Sequence, residues 1–509
     1  MQQIINKNSD FKKTKKTREE AEKILKDEPL KLELLKDLPD NNITFYTHGN
    51  FTDLCAGPHI ENTKEIKAFK LLKVSGAYWK GESKNKQLQR IYGTAFSSKK
   101  DLDKYLKQLE EAEKRNHIKL GKQLDLFSIH QEGPGFIFWH PKGTILINEL
   151  TRFWQDIHEE ENYKEIKTPI ILSKELWEKS GHWEHYKDNM YFTKLDNRDF
   201  AVKPMNCPGS VLVYKEHLHS YREFPLRLAE LGLVHRHELS GVLNGLFRVR
   251  SFTQDDAHIF LEESQIKDEI IKLINLMDYF YKKIFKFNYH IELSTRPKKA
   301  IGPKEIWDKA ESALKSALKS KKIKYKLNEE EGAFYGPKID FHVEDSLGRN
   351  WQLGTIQLDF SFPERFKLTY EGKDGKKHQP VIIHRTIYGS LERFIGILIE
   401  HYAGKFPLWL SPIQVKILTV TDRNNKFAQE IYKKLKENNI RVELDNRPES
   451  IGRKVRDAQL EKITYTLTLG DKEQKSKTLA VRTLDGKLKF GIKIDKFIKD
   501  ILNEIQDKK

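Results

Sequence analysis

The segment RVRSFTQDDAHIF, residues 248–260, alternates in a way that predicts a β-strand with one polar face. Successive side chains of a strand point to opposite faces. Two guanidinium groups, an aromatic ring, an amide, a carboxylate and an imidazole on one face indicate a ligand pocket. An exposed strand face with charge pairs across it is the alternative interpretation. The polar face is expected to carry Arg248, Arg250, Phe252, Gln254, Asp256, His258 and Phe260.

A second polar strand, LGLVHRHEL, precedes it and places Arg236 and Glu238 on a shared face. SGVLNG, residues 240–245, would join the two strands as a flexible loop that can close over a ligand. Arginine suits a phosphate group, a phenylalanine ring suits a stacked base, and a glutamate can accept from an exocyclic amine. The unit therefore favours a nucleotide.

The remaining patterns divide the chain into four segments. Residues 1–98 mix short strand-like runs with a helix near 17–26, and residues 99–122 form a highly charged helix that reads as a connector. Residues 123–410 mix strands and helices without regular βα alternation. Residues 411–509 alternate strands and helices as in a compact α/β domain and close with a helix at 492–505. The fold class is expected to be α+β.

An amphipathic helix is predicted for GSLERFIGILIEHYAG, residues 389–404, with Arg393 in its first turn. A cation there opposes the helix dipole, so Arg393 is expected to face an anion or to stack on a base. The chain contains no Walker P-loop and no GxGxxG motif, so a nucleotide would have to be bound by a different kind of phosphate-binding site.

Composition narrows the class of protein. The length of 509 residues corresponds to about three domains, and 38% hydrophobic residues provide for sizeable cores. No apolar run is long enough to span a bilayer and no signal peptide is evident. Two cysteines exclude a disulfide framework, so a cytoplasmic location is expected.

The net charge of +17 favours a polyanionic partner, nucleic acid first, with solubility alone as the alternative. Much of the excess lies in residues 411–509, which hold 23 Lys and Arg against 15 Asp and Glu.

The motifs, taken together, resemble those of class II aminoacyl-tRNA synthetases. Arg236-x-Glu238 with its loop and strand is similar to motif 2, GSLERF to motif 3, and the helix at 145–160 leading to YKEIKTP to motif 1. Longer strings, among them KPMNCPG, FTQDDAHIF, EGAFYGPKIDF and GTIQLDF, resemble the threonyl-tRNA synthetase family in particular. The resemblance runs over essentially the whole chain.

This resemblance implies a class II antiparallel-sheet catalytic domain at 123–410, an α/β anticodon-binding domain at 411–509 and a linker helix at 99–122. It also implies a truncated α+β editing-like domain at 1–98. The expected activity is ATP-dependent activation of L-threonine and its transfer to tRNA(Thr). A homodimer formed through the motif 1 region is expected, with no membrane association.

The resemblance also implies one Zn²⁺ per subunit, held by Cys207, His258 and His384 with an open position for the amino acid. Spacing alone would not have found these three residues. In the family the amino group and β-hydroxyl of threonine coordinate the metal, so valine should be rejected strongly. Serine differs by one methyl group, worth about 1–3 kcal/mol.

Further roles follow from matched positions. Mg²⁺ is expected to accompany ATP. Gln352 and Gln357 differ in parity on one strand, so that strand needs a bulge, or the two residues have unequal roles. The implied ATP contacts are Arg236, Glu238, Arg248, Phe252, Gln352 and Arg393; the threonine contacts are Gln254, Asp256, Tyr335 and Gln357; the catalytic residues are Arg236, Arg393, Lys338 and His182; and the anticodon contacts are Glu473 and Arg482.

The match breaks at several places. Ser210 replaces a histidine in the family's NCPGH string, and Asn244 replaces a histidine in the motif 2 loop. The editing motif Cys-x-x-x-His appears as Cys55 and His59, but its partner His-x-x-x-His does not occur in the sequence, and neither does the ubiquitin-like N-terminal domain. The expectation is that this chain alone does not proofread seryl-tRNA. Cys55 and His59 would be a remnant half-site or structural.

Two alternatives stay open. A prolyl or seryl synthetase would share the three motifs but lack the Cys207, His258 and His384 set. A tRNA-binding regulator without catalysis would not need every catalytic position to be occupied.

Overall fold

The computed structural model describes residues 1–81, 84–345 and 348–508. The chain forms two compact units, Met1–Glu111 and Ala112–Lys509. No helix in the described part of the chain is long and apolar enough to cross a membrane.

The first unit contains a small three-stranded antiparallel sheet, β1-β2-β3, and a separate long hairpin, β4-β5. Its core is a cluster of Ala21, Leu25, Leu35, Ile43 and Phe45. The helices are α1 (Gln2–Asn6), α2 (Arg18–Ile24), α3 (Pro29–Lys36) and α4 (Lys99–Arg115), which runs past the end of the unit; the strands are β1 (Phe11–Lys15), β2 (Thr44–His48), β3 (Phe51–Leu54), β4 (Ala68–Tyr78) and β5 (Gln87–Phe96).

The second unit begins with the helices and strands of residues 117–401. Its helices are α5 (His117–Gln123), α6 (Pro141–Glu160), α7 (Lys174–Ser180), α8 (His182–His185), α9 (Cys207–Lys215), α10 (Ile266–Asp278), α11 (Lys304–Ser320), α12 (Ser361–Phe366) and α13 (Leu391–His401). Its strands are β6 (Phe127–Ser128), β7 (Phe138–Trp139), β8 (Lys164–Glu165), β9 (Ile171–Ser173), β10 (Tyr191–Leu195), β11 (Arg198–Val202), β12 (Leu226–His235), β13 (Ser251–Leu261), β14 (Asn288–Ser294), β15 (Tyr325–Asn328), β16 (Lys338–Glu344), β17 (Asn350–Asp359), β18 (Tyr370–Glu371), β19 (Lys377–His378) and β20 (Val381–Thr386).

An eight-stranded sheet in the order β15-β14-β16-β17-β20-β13-β12-β8 organises this region. It is antiparallel except for its two outer pairs, β14 with β15 and β12 with β8. One face packs on α6, α10, α11 and α13 in the largest hydrophobic cluster. The other face carries α9 and α12 over a second cluster, which includes Leu228, Phe260 and Ile382. The antiparallel class II sheet expected from the resemblance is confirmed.

The last region is a mixed five-stranded sheet in the order β22-β21-β23-β24-β25, parallel at β22-β21-β23 and antiparallel beyond. The strand and helix alternation predicted from residue 411 onward is confirmed. The elements are β21 (Val415–Thr419), α14 (Asn425–Glu437), β22 (Val442–Asp445), α15 (Ile451–Leu460), β23 (Tyr465–Leu469), α16 (Asp471–Ser476), β24 (Thr478–Thr483), β25 (Leu488–Lys493) and α17 (Ile494–Gln506).

Two predicted elements need correction. The connector at 99–122 is two helices rather than one, because the Asn116 side chain accepts hydrogen bonds from the N–H groups of Ile118 and Lys119 and starts α5 anew. The polar strand begins at Ser251 and not at Arg248, because residues 244–248 fold into a turn with Gly245 at φ +49°.

Candidate functional site

A cavity of about 390 Å³ opens on the sheet face that carries α9 and α12, and a second of about 200 Å³ adjoins it. The two cavities form one cleft, because several residues line both. These shared residues are Arg236, Gln254, Gln352, Thr355 and Thr386.

The alternation of β13 brings its polar side chains into this cleft. Phe252 and Gln254 line the smaller cavity, and Gln254 and Asp256 line the larger one. His258 follows on the same face, directly opposite His384 of β20 in the strand register. Arg250 does not share this face, because its guanidinium donates to the backbone oxygens of Glu238 and Pro134.

Strand β17 contains the bulge that the two glutamines required. Asp340 of β16 pairs with Thr355, but His342 pairs with Gln352, so one residue of β16 faces two of β17. The extra residue reverses the parity, and both Gln352 and Gln357 line the larger cavity.

Cys207, His258 and His384 form a buried cluster whose ligand atoms all lie within 4.8 Å of one another. Cys207 is the first residue of α9, and the two histidines belong to neighbouring strands. Burial, followed by the carboxylates of Asp256 and Asp359, raises the pKa of the Cys207 thiol. Burial lowers the pKa of His258, which keeps its imidazole in the neutral form that binds metals.

The cluster fits a metal ion, because the buried Nδ1 of His384 has no hydrogen-bond partner among the described residues. Its Nε2 lies 3.0 Å from Oδ2 of the buried Asp359, whose Oδ1 accepts from the N–H groups of Ser361 and Phe362. Asp359 therefore holds the ring proton on Nε2, which leaves the lone pair of Nδ1 available to bind a metal. One sulfur and two imidazole ligands match the donor set that zinc prefers.

The smaller cavity is strongly cationic. Arg236, Arg248 and Arg393 line it, with Phe252 as its aromatic wall. The guanidinium carbon of Arg236 lies 5.0 Å from the Phe252 ring centre, and Arg248 pairs with Glu238 at 2.9 Å. Burial, then Arg236 and Arg248, lowers the pKa of Arg393. Three converging guanidinium groups favour a polyanion between them.

Two charged side chains that line the larger cavity, Asp256 and Lys338, are each held by a neighbouring polar side chain. Asn206 donates from Nδ2 to Asp256 Oδ2 at 2.6 Å. Lys338 pairs with Asp340 at 2.9 Å, and Asp340 Oδ1 also accepts from Gln352 Nε2 at 2.7 Å. Tyr335 is buried beside the cluster, with its ring centre 5.2 Å from that of His384.

His182 lies outside this cleft. Its ring is fully buried, with Nδ1 2.8 Å from Ser180 Oγ and Nε2 3.0 Å from Met205 Sδ. Burial, followed by the charge of Arg236, lowers the pKa of His182 to about 3. The ring is thus neutral and enclosed, and contact with a substrate would require Met205 to move. Its role in transfer stays a prediction.

The predicted editing and anticodon residues have contacts within their own regions. In the first unit, Cys55 Sγ is 3.1 Å from His59 Nε2. In the last region, Glu473 on α16 accepts from the N–H of Gly470, and Arg482 on β24 donates to the backbone oxygen of Gly486.

Sequence reasoning missed three residues that the structure brings to the site: Asn206, Asp340 and Asp359. All three contact predicted site residues from outside the lining of the two cavities. The one available signal was the spacing along the strands. Lys338 and Asp340 are two residues apart on β16, as are Gln357 and Asp359 on β17, so the members of each pair share a face.

Family models match three parts of the chain. The class II core domain of tRNA synthetases (G, H, P, S and T) matches residues 191–402, and an anticodon binding domain matches residues 414–504. The second additional domain of threonyl and alanyl tRNA synthetases matches residues 43–92.

Curated relatives match along the full chain. The threonine–tRNA ligase of Clostridium tetani is 58% identical over 511 residues, which cover 100% of this chain and 80% of the relative. That of Acetivibrio thermocellus is 59% identical over 512 residues, again covering 100% and 80%.

Among solved structures, the RNA binding domain of threonyl-tRNA synthetase from Cryptosporidium parvum Iowa II superposes with a TM-score of 0.74 and 40% identity. The alignment covers 76% of this chain and 98% of that one. Identity above one half along the whole chain, joined to the class II core and anticodon-binding matches, shows that this chain belongs to the threonyl-tRNA synthetases, the threonine–tRNA ligases.

Proposed function

We propose that the cleft binds ATP in its smaller cavity and L-threonine in its larger one, joins them as threonyl-adenylate, and passes the threonyl group to tRNA(Thr). The threonine carboxylate attacks the α-phosphate and displaces pyrophosphate. A hydroxyl of the terminal tRNA ribose then attacks the adenylate carbonyl and displaces AMP. The convergence of three arginines beside the Cys207–His258–His384 cluster on one sheet face is the observation that carries this proposal.

The ATP contacts follow from the smaller cavity. Arg236 would hold the α-phosphate and Arg248 the polyphosphate. Phe252 would lie beneath the adenine and Arg393 on its other side. Glu238 would accept from the adenine amine through Oε1, since its pairing with Arg248 uses Oε2. Gln352 lies where the nucleoside would sit, oriented by Asp340.

No general base is needed for activation, because the nucleophile is already an anion. The residues act by positioning and by neutralising charge, with Lys338 beside the reacting carboxylate and phosphate. The Asp340 partner keeps the Lys338 ammonium group in the larger cavity.

Threonine would be selected in the larger cavity. Gln254, Asp256, Tyr335 and Gln357 surround the position next to the cluster. Cys207, His258 and His384 would hold a zinc ion, which supplies when bound an open coordination position for the amino and hydroxyl groups of the amino acid. Asp256, held by Asn206, would accept a hydrogen bond from that amino group.

Threonine-dependent ATP–pyrophosphate exchange tests this proposal. We expect exchange with threonine, less with serine, and almost none with valine, because valine leaves a polar site without its hydroxyl partner. No exchange with any of the three, from protein that holds zinc and binds tRNA, would refute the proposal and favour a tRNA-binding regulator.

We further propose that residues 123–410 are the catalytic domain and residues 411–509 the anticodon-binding domain, in which Glu473 and Arg482 read bases. Two observations support this assignment: Arg482 lies on β24 with its guanidinium part-exposed, and Glu473 lies in the first turn of the short helix α16 beside it. Glu473→Ala and Arg482→Ala should each raise the KM for tRNA and leave pyrophosphate exchange unchanged.

A homodimer through the motif 1 region is proposed as well. Strand β8 ends the eight-stranded sheet. Ile170 follows it and Ile171 opens β9, the edge strand of a three-stranded sheet with β10 and β11, and the two are 41% and 51% exposed. Exposed aliphatic residues at a sheet edge are typical of an interface. Sedimentation of the chain at a twofold mass would support the proposal, and a monomer at micromolar concentration would refute it.

We propose finally that this chain alone does not proofread seryl-tRNA. Cys55 and His59 contact each other, and the His59 ring stacks on Phe11, but the second pair of histidines expected of the editing motif is not in the sequence. Deacylation of seryl-tRNA should therefore match that of Cys55→Ala. Rapid turnover by the unmodified chain would contradict this.

A further inference from the structure

His117, the first residue of α5, is 1% exposed and lies between α13 and the loop that precedes β13. Its Nδ1 is 2.8 Å from Oε1 of Glu400 on α13. On the other side of the ring, the backbone N–H of Leu246 donates to His117 Nε2 at 3.0 Å. The imidazole thus bridges a helix and a loop.

The two contacts fix the tautomer. A backbone N–H can only donate, so Nε2 accepts and the ring proton lies on Nδ1, where it donates to the carboxylate. Glu400 is itself held, because it also accepts from the His117 backbone N–H at 3.1 Å and from the Arg349 guanidinium. The acceptor offered to Leu246 is therefore rigidly placed.

The loop held by this contact contributes lining residues to the smaller cavity. The Phe247 ring centre lies 4.0 Å from that of His117, and the Phe247 carbonyl accepts from Arg393 Nε at 3.0 Å. Arg248 follows directly. At Gly245 there is no room for a side chain, since a Cβ would lie 2.2 Å from His117 Nε2.

We propose that His117 is a positioning residue for the ATP site: by accepting from Leu246 it holds residues 245–248 in the arrangement that places Arg248 and Arg393. It touches no substrate in this scheme and acts through the loop. The inference rests on the proposed binding of ATP in the smaller cavity. Nothing in the chemistry of a helix start requires an imidazole here, because the Asn116 cap already begins α5.

Two substitutions separate the two contacts. In His117→Asn, the short amide can still donate to Glu400 but cannot reach Leu246. In His117→Gln, the longer amide can place its oxygen near the Nε2 position and keep the acceptor. Both remove the same ring packing against Phe247, so any loss from packing alone should be equal in the two proteins.

The measurement is threonine-dependent pyrophosphate exchange with ATP and threonine varied separately, together with the melting temperature. We expect His117→Asn to raise the KM for ATP about tenfold, or about 1.4 kcal/mol, with a much smaller change in the KM for threonine, because a buried N–H loses its acceptor. His117→Gln should recover most of the ATP affinity while melting no higher than His117→Asn.

Equal KM values for ATP in the two variants would overturn the proposal, as would an unchanged KM in folded His117→Asn. If that variant does not fold, Gly245→Ala disturbs the same contact from the loop side and should raise the KM for ATP with the His117–Glu400 contact intact; no rise would equally overturn it. Failure of the proposed function would differ, since the unsubstituted chain would then show no exchange.

Discussion

Gln352 and Gln357 point into one cavity from a single strand, although they are offset by five residues, an odd number, because the residues between them include a β-bulge. The bulge contains Gly354, where a Cβ would lie 2.5 Å from the Tyr281 hydroxyl and 3.0 Å from Met277 Sδ. Two proposed substrate contacts thus depend on a position with no side chain.

Gly354→Ala should therefore destabilise the protein and weaken ATP binding. Overpacking of a tight core position costs about 1–3 kcal/mol, and a shifted bulge would turn Gln352 away. Differential scanning calorimetry and the KM for ATP are the measurements. Gly452→Ala is the control, since nothing lies within 4 Å of a Cβ there. Equal melting of the two variants would contradict the role of the bulge.

Asp359→Asn should lower zinc affinity about 10- to 100-fold. The asparagine oxygen can still accept from Ser361 and Phe362, but its amide would donate to His384 Nε2 and drive the ring proton to Nδ1. Competition with a chromophoric chelator measures this directly, without any assay of activity.

Glu292→Gln is the matched control for this change. It alters another carboxylate on the same sheet that contacts a histidine, with Oε1 3.3 Å from His290 Nε2. Retention of zinc by this control and loss by Asp359→Asn is the expected result, and equal retention would argue against orientation of His384 by Asp359.

Asn206→Ala should raise the KM for threonine about tenfold and leave the KM for ATP nearly unchanged. The Asn206 amide is the side-chain donor that orients Asp256, and hydrogen bonds to charged groups contribute about 1.5–3 kcal/mol. No capping bond is lost, since the Asn206 side chain makes none.

Ser210→Ala on the same helix provides the comparison. The buried Ser210 hydroxyl has no hydrogen-bond partner, so its removal should change neither KM. A tenfold rise in both variants would point to general disturbance of α9 rather than to Asp256.

The buried His182 should make the fold sensitive to acid. Its folded-state pKa of about 3 lies below the unfolded value near 6.5, so between these values the unfolded chain binds more protons. The free energy of unfolding therefore falls as pH drops below about 6.5, by about 1.4 kcal/mol at pH 5.5 from this residue alone.

His182→Gln should lose less of its thermal stability between pH 7.5 and pH 5.5 than the unsubstituted chain. His217→Gln, at an exposed position, should lose as much as the unsubstituted chain. Identical pH dependence in all three proteins would show that His182 is protonated in the folded state.

Periodicity could predict part of the site and not the rest. Alternation along β13 was enough to place Phe252, Gln254, Asp256 and His258 together, because a strand repeats every two residues whatever its neighbours do. The alternation did not extend back to Arg250. That residue precedes the strand and follows a turn that depends on Gly245 and His117.

Contacts between distant segments needed more than a pattern. Cys207 meets His384 only through the packing of α9 on the sheet, and the family resemblance supplied that pairing. Neither the sequence pattern nor the resemblance indicated that the His182 ring would be buried against Met205. The burial of a side chain depends on residues from several elements that pack around it.

Strand β13 also fixes a distance within the cleft. From Phe252 to His258 it rises about 20 Å, with Gln254 and Asp256 at equal steps between them. In the proposed function, the base stacked on Phe252 and the amino acid held near His258 would thus be spaced by one continuous strand. Beyond His258 the next residue on that face is Phe260, which is 0% exposed, so a longer amino acid gains no room by extending along the strand.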